Sequence, residues 1–158
     1  MPTLHLFCGH AGAGKSTLAA RLADAPATLV VSQDHWMSHL YPDELRTVAD
    51  YLRYVRRLRG AMGPHLVDLL RAGMSVVLDW PANTVANRAW MRALADEAGA
   101  RALVHWLDTS EAVCLERLEA RNRSGEHPYH VTRAQFAELV ALCEPPADAE
   151  GLEVIAYR

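Results

Sequence analysis

Lysine is almost missing from this chain: Lys15 stands alone against fifteen arginines in 158 residues. The one position that departs from arginine therefore asks for a chemical reason. No apolar run approaches the roughly 20 residues needed to span a bilayer, and the N-terminus carries no charged leader or cleavage site. A cytoplasmic protein with no membrane partner is expected. Cys8, Cys114 and Cys143 are odd in number and lack paired metal-ligand spacing, so they read as reduced structural thiols. A formal net charge of −3 leaves no excess of positive charge for coating nucleic acid, although a local basic groove remains compatible with it. Internal repeats, linkers and low-complexity segments are missing too, which leaves one domain over 1–158.

What is present alternates. Short apolar runs at Leu4 to Cys8, Thr28 to Val31, Met74 to Leu78, Ala102 to Leu107 and Leu152 to Ala156 predict five strands. Between them, helical patterns cover Ser16 to Ala23, Pro42 to Arg59, Pro64 to Ala72, Asn83 to Ala98, Ser110 to Asn122 and Thr132 to Cys143. Strands that are continuously apolar, separated by helices, predict an α/β fold with a parallel sheet covered on both faces.

The stretch Gly9-His10-Ala11-Gly12-Ala13-Gly14-Lys15-Ser16 fits G-x-x-x-x-G-K-[ST] at every fixed position, between a predicted strand and a predicted helix. Glycines there let backbone N–H groups approach a phosphate beside the positive end of a helix. A compact ammonium on a flexible stem reaches the β and γ phosphates of a nucleotide, which a planar guanidinium does differently, so the lone lysine has its reason. Gly9, Gly12, Ala13, Gly14, Lys15, Ser16 and Thr17 are the candidate nucleotide-binding residues. The Ser16 hydroxyl is the candidate ligand for Mg²⁺ bridging the phosphates. No guanine-reading N-K-x-D pattern accompanies the loop, and ATP is the expected nucleotide.

Two aspartates end strand patterns. Asp79 closes Val76-Val77-Leu78 and is expected at the ligand-binding edge of a parallel sheet, where it would hold Mg²⁺ through water. Asp34 follows the second strand in "VVSQDHW" and is the candidate base for an acceptor hydroxyl; its structural alternative is the cap of a short helix starting near His35. His35 is a candidate acceptor-binding residue. It has i, i+4 spacing with His39, but no H-E-x-x-H pattern that would make the two a metal pair.

Arginines supply the remaining charge. Arg117 and Arg121 share a helix face that runs into a polar Ser-Gly segment, and a lid over about 120–132 is expected to bring them to the phosphates, with Arg121 catalytic. His127 and His130 lie near that lid. Arg53, Arg56 and Arg57 cluster in "YLRYVRRLRG", where Arg56 is a candidate for an anionic acceptor or a nucleic-acid backbone; Arg88, one turn into the helix after Asp79, is a second acceptor candidate.

Taken together, the early glycine loop, Asp34, "VVLDWPAN" and "RLEAR" followed by "QFAELVALCEPPADAEGLEVI" resemble the small P-loop kinases. That group includes gluconate kinase, chloramphenicol phosphotransferase, the kinase domain of phage polynucleotide kinase and the zeta toxin group. The resemblance spans nearly the whole chain. It implies a five-stranded parallel sheet in the order 2-3-1-4-5 flanked by helices, nucleotide phosphates on Gly12 to Thr17, lid arginines at Arg117 and Arg121, and an acceptor base at Asp34. After Asp34 the chain reads "HWMSHLYPDE" and lacks the sugar-acid-binding pattern of gluconate kinases. The expected activity is ATP- and Mg²⁺-dependent transfer of a phosphoryl group to a hydroxyl of a small metabolite or antibiotic. A polynucleotide 5′-hydroxyl kinase and a non-catalytic ATP-binding switch or ATPase are the alternatives.

Overall fold

Five strands and six α-helices make up the computed structural model, which describes residues 1–125 and 130–158. In chain order they are β1 (Thr3–Cys8), α1 (Lys15–Leu22), β2 (Thr28–Ser32), α2 (Gln33–Leu40), α3 (Val48–Arg71), β3 (Ser75–Pro81), α4 (Val85–Ala98), β4 (Arg101–Leu107), α5 (Glu111–Ser124), α6 (Arg133–Ala141) and, after a 3₁₀ turn at Asp148–Glu150, β5 (Glu153–Tyr157). The strands form one parallel sheet, as the strand pattern predicts, in the order β2-β3-β1-β4-β5 that the family resemblance implies.

The central strands bury both faces. Leu4, Leu6 and Cys8 of β1 with Val76 and Leu78 of β3 point toward α3 and α4, while Phe7 and Val77 point toward α1, α5 and α6. Two cores result, one on each side of the sheet. The edge strand β5 is exposed along its length, and a side-chain chain ties it inward: Tyr157 Oη lies 2.8 Å from His105 Nδ1, and His105 Nε2 lies 3.0 Å from His5 Nδ1. Burial, with the neighbouring His5 adding to it, lowers the His105 pKa to about 4, so the His105 imidazole is neutral at pH 7.

Most element ends shift by a residue or two from the sequence expectation, and three differences have a clear physical cause. The predicted helices Pro42 to Arg59 and Pro64 to Ala72 are one 24-residue helix, α3, starting at Val48 under a Thr47 cap. An interior proline costs about 3 kcal/mol. Here Leu58, Met62, Leu66, Val67 and Leu70 are all buried, at roughly 1.5–3 kcal/mol each, and that sum wins. Gly60, four residues before Pro64, is exposed, and a Cβ there would meet nothing within 4 Å, so no side chain crowds the turn that the proline interrupts. The helix after β3 is capped by Thr84, not begun at Asn83, because Asn83 is used elsewhere. β3 itself continues through Asp79, which pairs across from Ser32 of β2, instead of ending at Leu78.

Candidate active site

The loop between β1 and α1 is shaped by its glycines. Gly12 has φ 82° and Gly14 φ 103°, left-handed values that disfavour side chains. A Cβ on Gly12 would also stand 2.4 Å from the Cys114 carbonyl oxygen, so this glycine lets the loop lie directly against α5. Gly9 and Ala13 build the loop from beneath. Gly9 N donates to Asn83 Oδ1 at 2.8 Å, and Ala13 N to His10 O at 3.0 Å. Gly14 caps α1 without a side-chain bond, and the first bond into the helix runs from Leu18 N to Gly14 O. The N–H groups of Lys15, Ser16 and Thr17 thus lack partners within the helix, in a wall that also includes Gly12 and Gly14.

That wall belongs to a cavity of about 860 Å³, in the upper part of the ~300–1,000 Å³ range of ligand sites. Lys15 Nζ is held over the loop by Gly9 O at 2.6 Å and His10 O at 2.8 Å. Burial lowers its pKa, while Asp79 and Asp34 pull the other way. Ser16 Oγ donates to Asp79 Oδ2 at 2.9 Å, which pairs the two oxygen ligands expected for Mg²⁺. Asp34 lines the same cavity from the first turn of α2, whose cap is Ser32, receiving His35 N at 3.3 Å. Capping therefore falls to Ser32 and not to Asp34. Arg117 and Arg121 reach the cavity from α5; burial lowers the Arg121 pKa against the opposing pull of Asp34, which places the two charges within each other's field. Of the expected lid, residues 126–129, including His127, lie outside the described residues; His130 lines the cavity, and Asn122 Nδ2 donates to Val131 O at 2.6 Å across that segment.

The acceptor candidates fare differently. His35 is exposed, with its backbone carbonyl bonded by His39 Nδ1 at 2.7 Å, and lies outside the cavity lining. Arg56 is exposed on the outer face of α3 and also lies outside it. Arg88 requires a correction. It is 0% exposed and turned away from the cavity, with Nε and Nη2 on the Glu150 carboxylate at 2.7 and 2.8 Å, and Nη1 on the carbonyls of Ala82 and Glu144 at 2.8 Å each. Burial pulls its pKa down and the bonds to Glu150 more than offset this, leaving it raised. Arg88 anchors the segment before β5 to α4; a ligand has no access to it.

The sequence reading passed over an arginine of α3 that does face the cavity, as Arg21, Arg46, Arg117 and Arg121 do from other elements. Tyr51, Val55 and Arg59 follow one another at i, i+4 on α3 and all line it. Arg59 Nη1 donates to Asn87 Oδ1 at 2.6 Å, the guanidinium carbon lies 5.4 Å from the centre of the Trp90 ring, and Nε is buried without a hydrogen-bond partner. Gln33 sits beside this wall, 1% exposed, donating from Nε2 to Tyr51 Oη at 2.5 Å. The available signal was periodic: Arg59 continues the apolar stripe of Val48, Leu52 and Val55, whereas Arg53, Arg56 and Arg57 do not.

Among the described residues, no helix is long and apolar enough to cross a membrane. A comparison with curated protein sequences finds no match. Solved structures similar to this chain include a candidate kinase from Chloroflexus aurantiacus, with 20% identity, TM-score 0.76, and coverage of 99% of this chain and 84% of that one. A sugar kinase from Janibacter sp. HTCC2649 is 16% identical, with TM-score 0.63 and coverage of 99% and 85%. A fungal RNA kinase is 13% identical, with TM-score 0.61 and coverage of 99% and 74%. At such identities the likeness is one of fold. The AAA domain family matches residues 4–146, nearly the whole length. By that match, the chain belongs to the AAA domain family.

Proposed function

We propose that this protein is an ATP-dependent kinase that transfers the γ-phosphoryl group to a hydroxyl of a small molecule. The observation that carries the reading is the meeting of Lys15, Asp34, Asp79 and Arg121 on one cavity, contributed by the starts of α1 and α2, by β3 and by α5. Lys15 and the N–H groups of α1 hold the β and γ phosphates of the donor. Ser16 and Asp79, a hard-oxygen pair, suit Mg²⁺ held together with water and the phosphates, where the ion would neutralise phosphate charge. The acceptor oxygen attacks the γ-phosphorus, the bond from that phosphorus to the β,γ-bridging oxygen breaks, and the acceptor's proton passes to an Asp34 carboxylate oxygen. Arg121 and Arg117 stabilise charge on the transferring group from the opposite side. The sugar kinase and RNA kinase among the similar folds show that the architecture serves both small and polymeric acceptors. The surface arginines do not favour a polymer: Arg53 pairs with Asp50 at 3.7 Å and, like Arg57, packs on the Tyr54 ring, outside the cavity.

The test is phosphoryl transfer in a screen of hydroxylated metabolites and antibiotics, read as ADP release above the rate with water alone. Asp34→Asn is expected to retain ATP affinity and lose transfer by about 10²- to 10⁴-fold. Weakened ATP binding with normal turnover of bound acceptor would reassign Asp34 to the donor side. ATP turnover that no acceptor accelerates would make the protein an ATPase or switch.

A further inference from the structure

Among the described residues, buried side-chain nitrogen and oxygen atoms without a hydrogen-bond partner occur on four side chains: Gln33 Oε1, Arg59 Nε, Trp80 Nε1 and Arg121 Nε. Folded proteins satisfy nearly all such atoms, so their placement matters. Three of the four belong to residues that line the cavity. Arg121 belongs to the donor side already described. Arg59 and Gln33 stand on the other side, next to Asp34 in sequence or across from it on α3.

Arg59 is a half-buried cation whose partners are a neutral amide, Asn87, and the Trp90 ring; no carboxylate among the described residues pairs with it. Burial lowers its pKa, the direction of a guanidinium that lacks a compensating anion. Asn87 occupies one terminal nitrogen and leaves Nε as an unused donor on the same planar fork, a geometry suited to a planar or tetrahedral oxyanion. Tyr51, Leu52 and Val55 supply a largely apolar wall beside it, in which an unpaired guanidinium is the main attraction for a ligand.

We propose that Arg59 binds an anionic group, a carboxylate or a phosphate, of the small acceptor whose hydroxyl is presented to Asp34. The acceptor is thus a hydroxylated small anion, not a neutral alcohol. This rests on the kinase reading for the hydroxyl, but the anion site does not depend on transfer.

Two measurements test it separately. With the donor side filled by ADP and Mg²⁺, inorganic phosphate and acetate are titrated calorimetrically into the wild type, Arg59→Gln and Arg59→Lys. Binding of one of the two anions by the wild type is expected, with a loss on the order of 10- to 100-fold in Arg59→Gln and partial retention in Arg59→Lys, as befits a hydrogen bond to a charged group. The anion that binds identifies the acceptor group as phosphate or carboxylate. Equal binding by wild type and Arg59→Gln, or by neither, overturns the proposal. In the second measurement, glycerol, glycerate and glycerol phosphate are compared as acceptors. A preference for a charged member that disappears in Arg59→Gln, with ATP affinity retained, supports the assignment; faster use of glycerol overturns it. Arg59-dependent anion binding without transfer to any alcohol would leave the anion site standing and defeat the kinase reading. Arg59→Lys, which keeps the charge, controls for loss of folding in Arg59→Gln.

Discussion

The wall of the cavity and the junction between α4 and the C-terminal segment each bury cations, and they treat them in opposite ways. At the junction, Arg88 meets a carboxylate and two carbonyls at 2.7–2.8 Å, and its pKa is raised. On the wall, Lys15, Arg59 and Arg121 all have pKa values lowered by burial, and two of them keep an orphan Nε. A buried charge that is fully paired is part of the fold. One left short of anionic partners costs stability in the free protein and is repaid by an anionic ligand. The contrast separates structural from ligand-facing basic residues without reference to their order in the chain.

The sharpest way to break this comparison is to remove one cation from each region. Arg88→Met leaves the Glu150 carboxylate and the Ala82 and Glu144 carbonyls without their donor, and a loss of about 3–5 kcal/mol in unfolding free energy is expected by denaturant titration, with phosphoryl transfer per folded molecule unchanged. Arg59→Met should leave the unfolding midpoint unchanged or raise it. Equal losses in the two variants would end the distinction.

Lys15→Ala probes the wall from the donor side. Transfer is expected to fall about a hundredfold or more, since one preorganised charge at the transferring group is lost, while thermal unfolding without nucleotide stays close to the wild type. Full activity in this variant would remove Lys15 from the mechanism.

A smaller effect concerns the third solution to burial, which is to give up the charge. His105 titrates near 4 in the folded chain against an ordinary value of 6.5, so between these values the unfolded chain binds more protons. The stability tied to neutral His105 is complete above about pH 6.5 and is lost as the pH falls toward 4. The drop in unfolding temperature over that window should be shallower in His105→Phe than in the wild type. An identical slope would mean that other groups carry the acid sensitivity.

Much of the donor side was legible in the sequence because it is local. Gly9 to Thr17 fold into a loop and helix start within nine residues, and Asp34 and Asp79 follow apolar runs that a parallel sheet brings to one edge whatever the strand order. The acceptor side was not, because it depends on partners far apart in the chain. Arg88 looks like an open cation in sequence, and only Glu150, 62 residues later, shows otherwise. Arg59 and Arg56 are equivalent in composition and differ only in which face of α3 they occupy. The interior proline misled in the same way: Pro64 is a helix breaker locally, and the buried face that overrides it is assembled from β1, β3 and α4.

The sequence by itself determined the phosphate loop, the five parallel strands and the carboxylates at their ligand edge, since backbone conformation and strand burial are set by short-range pattern. Only the tertiary structure decided which basic residues face the cavity and which hold the fold together. That choice follows from desolvation and pairing, which arise when distant segments close over a charge and either bring it a counterion or do not.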